Sequence, residues 1–201
     1  MSSPTQDITI VKGATFSRVL RWESTPFVYK AITAITKAAP VSITSTAHGV
    51  PDGWRVAIVS VQGMRQINAK NTPPRATDFH KATKTSADVI ALNDVNSSEY
   101  DAWTSGGYIM YYTPVSLAGV TARMQIRATA ESTTTLASLV SPTDIALDDT
   151  ARTITVTISA TATAAYTFTV GVYDLELVVT ATGVVTKLLS GNIVVLPEVT
   201  R

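Results

Sequence analysis

The segment RTITVTIS, Arg152 to Ser159, alternates without a break. Ile154, Val156 and Ile158 fall on one side, and Thr153, Thr155, Thr157 and Ser159 on the other. An extended backbone sends successive side chains to opposite faces, so a period of two marks a strand with one face in a core and one in water. An amphipathic helix would need apolar residues three and four apart instead. The same alternation recurs towards both ends of the chain. GVTARMQIRAT sets Ala122, Met124 and Ile126 against Thr121, Arg123, Gln125 and Arg127. YDLELVVT sets Leu175, Leu177 and Val179 against Asp174, Glu176 and Val178. Near the start, Ile8 and Ile10 share a face, a turn is expected at Lys12-Gly13, and Phe16, Val19 and Leu20 belong to a second strand.

Turn chemistry separates these strands. Thr180 to Gly183 reads as a hairpin turn. Ser190-Gly191-Asn192 reads as another, leading into IVVL, and Pro197 stops that strand or confines it to an edge. Helix is scarce. Ser132 to Val140 and Ser159 to Tyr166 are each expected to form a helical turn or two, with Ser as N-cap. Neither is long enough to stand alone.

Residues 31–113 carry a separate set of short strands: AITAITKA, VSITSTA, RVAIVSV, DVIALNDV and GYIMYYT. Loops divide them at His48 to Gly53 and at Asn71 to Pro74. Five short strands are enough for a small barrel. The expected fold is therefore all-β: a discontinuous β-sandwich of residues 1–30 and 114–201, with a small β-barrel of residues 31–113 inserted into one loop.

Composition narrows the function classes. The chain has 201 residues, and only 15% of them are charged, against the usual quarter or so of a soluble domain. Thr, Ser, Ala and Val fill the gap, which suits a surface buried against other subunits. Sixteen basic and 15 acidic residues leave a formal net charge of +1, with no run of Lys or Arg, so no nucleic-acid or membrane partner is expected. The absence of cysteine rules out disulfides and thiolate metal sites and fits folding in a reducing cytoplasm. The polar start of the chain has no signal-peptide pattern, and no apolar stretch is long enough to span a bilayer.

Two resemblances emerge from these residues. The stretch ITAITKAAPVSITSTAHGVPDGWRVAIVSVQGMRQIN, followed by DVIALNDVNSSEYDAWTSGGYI, resembles the FCCH-like β-barrel module. That module is named after a half-domain of ubiquitin-activating enzymes and recurs in tailed-bacteriophage virion proteins. The shared features are the His48-Gly49 loop, Gly53 before an apolar strand, Gly63-Met64 with Ile67-Asn68, and the closing Tyr100 and Ser105-Gly106-Gly107. The segment AKNTPPRATDFHKATKTSA departs from it. The flanks, DITIVKGATFSRVLRW with VSLAGVTARMQIR and the last hairpin, resemble the β-sandwich of phage tail and baseplate proteins, similar to the N-terminal domain of baseplate upper proteins. The resemblance implies a non-enzymatic virion component and carries over no functional residues.

Several side chains still look chemical. His48 and Asp52 with Arg55 form a candidate acid–base group, but catalysis needs an orienting partner and a nucleophile within reach. His80 lies in an irregular segment. The expectation is a corner in which Gly49, Pro51, Asp52 and Gly53 make consecutive turns and Trp54 caps a barrel end. Asp144, Asp148 and Asp149 are candidate calcium ligands, yet their spacing does not match an EF-hand loop, and a solvated turn is expected. Trp103, Tyr108, Tyr111 and Tyr112 are candidate sugar platforms, with packing the preferred reading. No catalytic, cofactor or metal residues are expected. The expected role is a structural part of a tailed-phage virion: a tail adaptor, baseplate or neck protein that docks fibres or other tail proteins and copies of itself. Capsid decoration is one alternative, and a carbohydrate-binding receptor module is another of a different class.

Overall fold

A computed structural model describes residues 4–198. Strand makes up about 50% and helix about 6%, so the fold is all-β. In chain order, β1 (Ile8–Val11) and β2 (Phe16–Leu20) come first. Then follow β3 (Glu23–Ala31), β4 (Ala34–Ile35), β5 (Val41–Thr44), β6 (Arg55–Gln62), β7 (His80–Lys84), β8 (Val89–Leu92) and β9 (Ser105–Pro114). The rest are β10 (Val120–Arg127), β11 (Thr135–Val140), β12 (Ile145–Asp148), β13 (Thr153–Ile158), the helix α1 (Ala160–Ala164), β14 (Val170–Val179) and β15 (Val185–Leu196). The chain divides into two compact units: residues up to Trp22 with those from Ser116 onward, and Glu23–Val115. The borders differ from 30/31 and 113/114 because β3 is laddered to β9, from Glu23 opposite Pro114 to Ala31 opposite Tyr108. Residues 23–30 therefore belong with the inserted unit.

The first unit is a β-sandwich. One sheet has the order β1-β15-β14-β10-β11 and the other β12-β13-β2. The alternating residues do what their period requires. Ala122, Met124 and Ile126 of β10, Leu175 and Leu177 of β14, and Ile154, Val156 and Ile158 of β13 are all buried in one core. Each Val, Leu, Ile or Met among them contributes about 1.5–3 kcal/mol when fully buried. On β2 the inward row is Phe16, Arg18 and Leu20, and Val19 is exposed, since Val19 has the opposite parity. The Lys12-Gly13 turn carries the chain from one sheet to the other: β1 lies parallel to β15, and β2 antiparallel to β13.

Two local expectations are corrected. Thr135–Val140 is strand β11, paired with β10, and not helix. Consecutive threonines at 133–135 disfavour helix through restricted χ1, and β10 offers a ladder. Ser190-Gly191-Asn192 does not turn, because β15 runs straight through it. A Cβ on Gly191 would stand 2.2 Å from the Gln6 carbonyl oxygen, so the glycine permits close approach of the segment leading into β1. Tyr173, buried beneath, donates its hydroxyl to Gln6 O at 2.6 Å, and burial pushes its phenol up to about 12, which keeps the donor protonated. Three other local expectations hold. Thr180 to Gly183 forms the turn between β14 and β15, Ser159 caps α1 by accepting from Ala162 N–H, and β15 ends before Pro197.

The second unit is one curled sheet, in the order β3-β9-β6-β7-β8-β5-β4. Its two terminal strands are nearly consecutive in the chain. Ile32 N–H bonds to Gly107 O at 3.0 Å, and Thr33 N–H to Thr44 O at 2.9 Å, so the ladder passes from β9 to β5 within two residues. The curl encloses Trp54, Val56, Ile58, Ile43, Ile90, Leu92 and Ile109. The irregular segment before β7 is tied by side chains that imitate backbone. Asn68 accepts from Val61 N–H at 2.9 Å and donates to Val61 O at 3.0 Å, as a neighbouring strand would. Asp78 accepts from Arg75 N–H at 2.8 Å, from the Asn71 amide at 2.9 Å and from Lys70 N–H at 3.2 Å. Among the described residues, no helix is long and apolar enough to cross a membrane.

Candidate functional site

The His48 corner joins β5 to β6. Gly49 and Gly53 take positive φ, which lets the chain fold tightly there. The His48 ring is fully buried. Val50 N–H donates to Nδ1 at 2.9 Å, so Nδ1 is the bare nitrogen and Nε2 carries the proton, donated to Ser86 O at 3.1 Å. The His48 carbonyl accepts from Tyr111 Oη at 2.6 Å. Both ring nitrogens and the carbonyl of this histidine are thus occupied. Its expected companions are elsewhere: Asp52 accepts from Lys84 N–H at 2.9 Å, and Arg55 pairs with Glu23 at 2.5 Å. His80 pairs with Asp94 at 2.7 Å. Trp54 caps nothing. It is fully buried in the core, with Nε1 donating to Tyr112 O at 3.0 Å.

Burial holds the His48 pKa below its usual value, because a charged ring would lose water and would also bring a proton against Val50 N–H. Above the unfolded-state value near 6.5 both states are neutral and the contribution is complete. Below it the unfolded chain takes up a proton that the folded chain refuses, so stability falls with pH. The melting temperature of the wild-type chain should drop between pH 7.5 and 5, and His48→Gln should flatten that part of the profile. An unchanged slope in the variant would refute the assignment.

The three aspartates close turns. Asp144 accepts from Val140 N–H at 3.1 Å, and Asp148 from Thr150 and Ala151 N–H at 2.8 and 2.9 Å. Asp149 accepts from Leu117 N–H at 2.6 Å, Ser116 Oγ at 2.9 Å and Ala118 N–H at 3.1 Å, and it meets the Arg152 guanidinium. The Leu117 amide, with Ser116 and Arg152 assisting, pulls its pKa below the ordinary carboxylate value. Its contribution is present above the unfolded carboxylate pKa and is lost as pH falls through the lowered folded one. Asp149→Asn should speed amide exchange at Leu117 and Ala118 at neutral pH, and unchanged protection there would contradict this role. Among the described residues, no group of three or more His, Asp or Glu side chains is placed to share a metal ion.

The aromatic candidates separate. Tyr111 is buried, and Trp103 is partly buried with Nε1 donating to Gly106 O at 3.0 Å. Tyr112 packs between Phe27 and Phe79, with centroids at 4.4 and 5.7 Å. Only Tyr108 of the four is well exposed, and it meets Tyr29 edge-on at 6.3 Å on the outer face of β3 and β9. Sequence reasoning missed Tyr29, because its partner lies across a ladder between strands far apart in the chain.

A hollow of about 660 Å³ lies on the solvent face of the five-stranded sheet. It is lined by side chains of β10, β14 and β15 that pair across strands. Arg123 meets Glu176 at 2.7 Å and Lys187 meets Asp174 at 2.7 Å, while within β10 Arg127 donates to Gln125 at 2.9 Å. These exposed pairs add little stability, and they leave the face close to neutral. Beside it, the same face ends in exposed Val11, Val170, Val194 and Leu196, brought together by the registers Val11 with Leu196 and Val170 with Val194. No protein-family model matches the chain, and no curated protein matches it.

Proposed function

We propose that this chain is a structural component of a tailed-phage virion, working as a tail adaptor, baseplate or neck protein that docks other tail proteins through its sheet surfaces. Decoration of the capsid is the alternative placement. The observation that carries the reading is where the side chains are spent. His48, Asp144, Asp148 and Asp149 are committed to backbone groups, while exposed aliphatic residues gather at one end of an otherwise neutral sheet face. Exposed apolar patches with polar surroundings mark interaction surfaces. The sandwich architecture and the resemblance of both parts of the sequence to tail and virion proteins support the same reading, which assigns no enzymatic activity. The FCCH-like module is proposed for the curled sheet of residues 23–115.

A gold-labelled antibody against the chain, applied to particles from the organism that encodes it, tests the placement. Label at the tail supports the adaptor, baseplate or neck role, and label over the shell supports decoration. A carbohydrate-binding reading is favoured by one observation, the exposed Tyr29–Tyr108 pair. Glycan-array binding that is lost in Tyr29→Ala would establish it.

A further inference from the structure

An exposed strand edge is a row of unpaired backbone donors and acceptors, and proteins usually guard such edges. In this chain most edges are guarded. β2 turns Arg18 inward, β12 ends in Asp148, β4 has two residues, and β3 carries Glu23, Pro26, Lys30 and a register break between Ser24 and Phe27. The two edges of the five-stranded sheet are different. β1 is ITIV and β11 is TLASLV, with neither charge nor proline, and past the bulge at Leu136 residues Ala137–Val140 stay in regular register with β10. β1 is also longer than its strand bounds, because bonds to β15 run from Pro4 to Lys12. The carboxylate of Asp7 beside it is occupied by the backbone and side-chain N–H groups of Asn192.

From these edges we infer that copies of this chain join head to tail, β1 of one copy adding to β11 of the next. The inference rests on the docking reading above and names one partner for it. Strand direction permits the joint. β1 is parallel to β15, and each later step across the sheet is antiparallel, so β11 runs opposite to β1. A copy displaced across the sheet therefore presents β1 antiparallel to β11, the more stable ladder.

The free groups also match. Gln6 and Lys12 N–H donate to β15, so the alternate residues Asp7, Thr9 and Val11 turn theirs outward. On β11, Ser141 N–H donates to Ala122 O, which turns Ser138 and Val140 outward. Asp144 already serves Val140, through its side chain and its own N–H. Ser138 is left as the counterpart of Thr9, and both side chains lie on the solvent face. Ile8–Val11 and Thr135–Val140 carry no charge, so no like charges are opposed between the strands proper.

Ser138 lies level with Gln125, Asp174, Ser190 and, through an isolated bridge, Thr5. Pairing it with Thr9 offsets each copy by four residues, about 13 Å along the strands. Such a heterologous contact closes into a ring or runs on as a filament.

The chain contains no cysteine, so engineered thiols report without background. Thr9→Cys combined with Ser138→Cys should give a ladder of oxidised multimers, because directly opposed residues sit within disulfide reach. Each single variant should stay uncrosslinked. Light scattering should show multimers for the wild-type chain and monomers for Ser138→Lys, with unchanged circular dichroism. A wild-type monomer, a crosslinked dimer from either single variant, or full assembly of Ser138→Lys would overturn the inference. A chain found on the tail but monomeric in solution would sink this joint and leave the docking reading standing. A cysteine ladder from a chain absent from particles would do the reverse.

Discussion

Trp54→Ala should destabilise the second unit by about 3–5 kcal/mol, the usual cost of removing a large buried aromatic. Trp54 is completely enclosed, with Val56, Ile58 and Tyr111 in the same cluster, and its Nε1 supplies the Tyr112 carbonyl. The substitution leaves both a cavity and an unpartnered acceptor. Because whole domains hold only about 5–15 kcal/mol, this one change should consume much of the margin. Urea unfolding followed by hydrogen exchange should show residues 23–115 opening at far lower denaturant. Trp54→Phe should lose much less, since it keeps most of the volume and forfeits mainly one hydrogen bond, worth about 1 kcal/mol. Equal midpoints for wild type and Trp54→Ala would mean that the residue is a rim cap, as its sequence neighbours suggest.

Gly191→Ala is the second large effect. An alanine methyl would meet Gln6 O at 2.2 Å and Gln6 C at 2.7 Å, both backbone atoms that cannot swing aside. The segment leading into β1 must move. With it go the Gln6 N–H to Ser190 O bond at 2.8 Å and the Tyr173 hydroxyl bond to Gln6 O at 2.6 Å. Overpacking of this kind costs about 1–3 kcal/mol. The amides of Ile8 and Ile10, which face β15, should exchange faster while those of β10 and β14 keep most of their protection. If Gly191 lay in a turn at the surface, alanine would be tolerated and β1 would be unaffected.

That contrast shows what could be read from the residues alone. The strands of RTITVTIS, TARMQIR and YDLELVV were legible because one face of each is wet, and the period of two survives in the sequence. Ser159 was legible as a cap because its hydroxyl acts on residues next to it in the chain. Gly191 was not, because its reason lies 185 positions away at Gln6. Strand β11 was misread for a related reason: its threonine-rich start carries a weak local signal, and β10 decides the outcome. The segment before β7 resisted because Asn68 and Asp78 replace a ladder with side-chain bonds, which leaves no periodicity to detect. β9 hid its direction, since Met110 is buried on the face opposite Ile109 and Tyr111. The candidate site was readable mainly in the negative. The turn residues around His48 pointed to a corner, but the bonds from Val50 and Tyr111 that occupy it, and the exposure of Tyr29 beside Tyr108, depend on the fold.

The account rests on the chain being a part held by its surfaces. Quantitative mass spectrometry of purified tailed particles from the encoding organism addresses this most directly. The account predicts the chain in a fixed, multiple copy number per particle, retained after washes that remove loosely bound protein. Particles that are complete and infectious without any copy of the chain would contradict it.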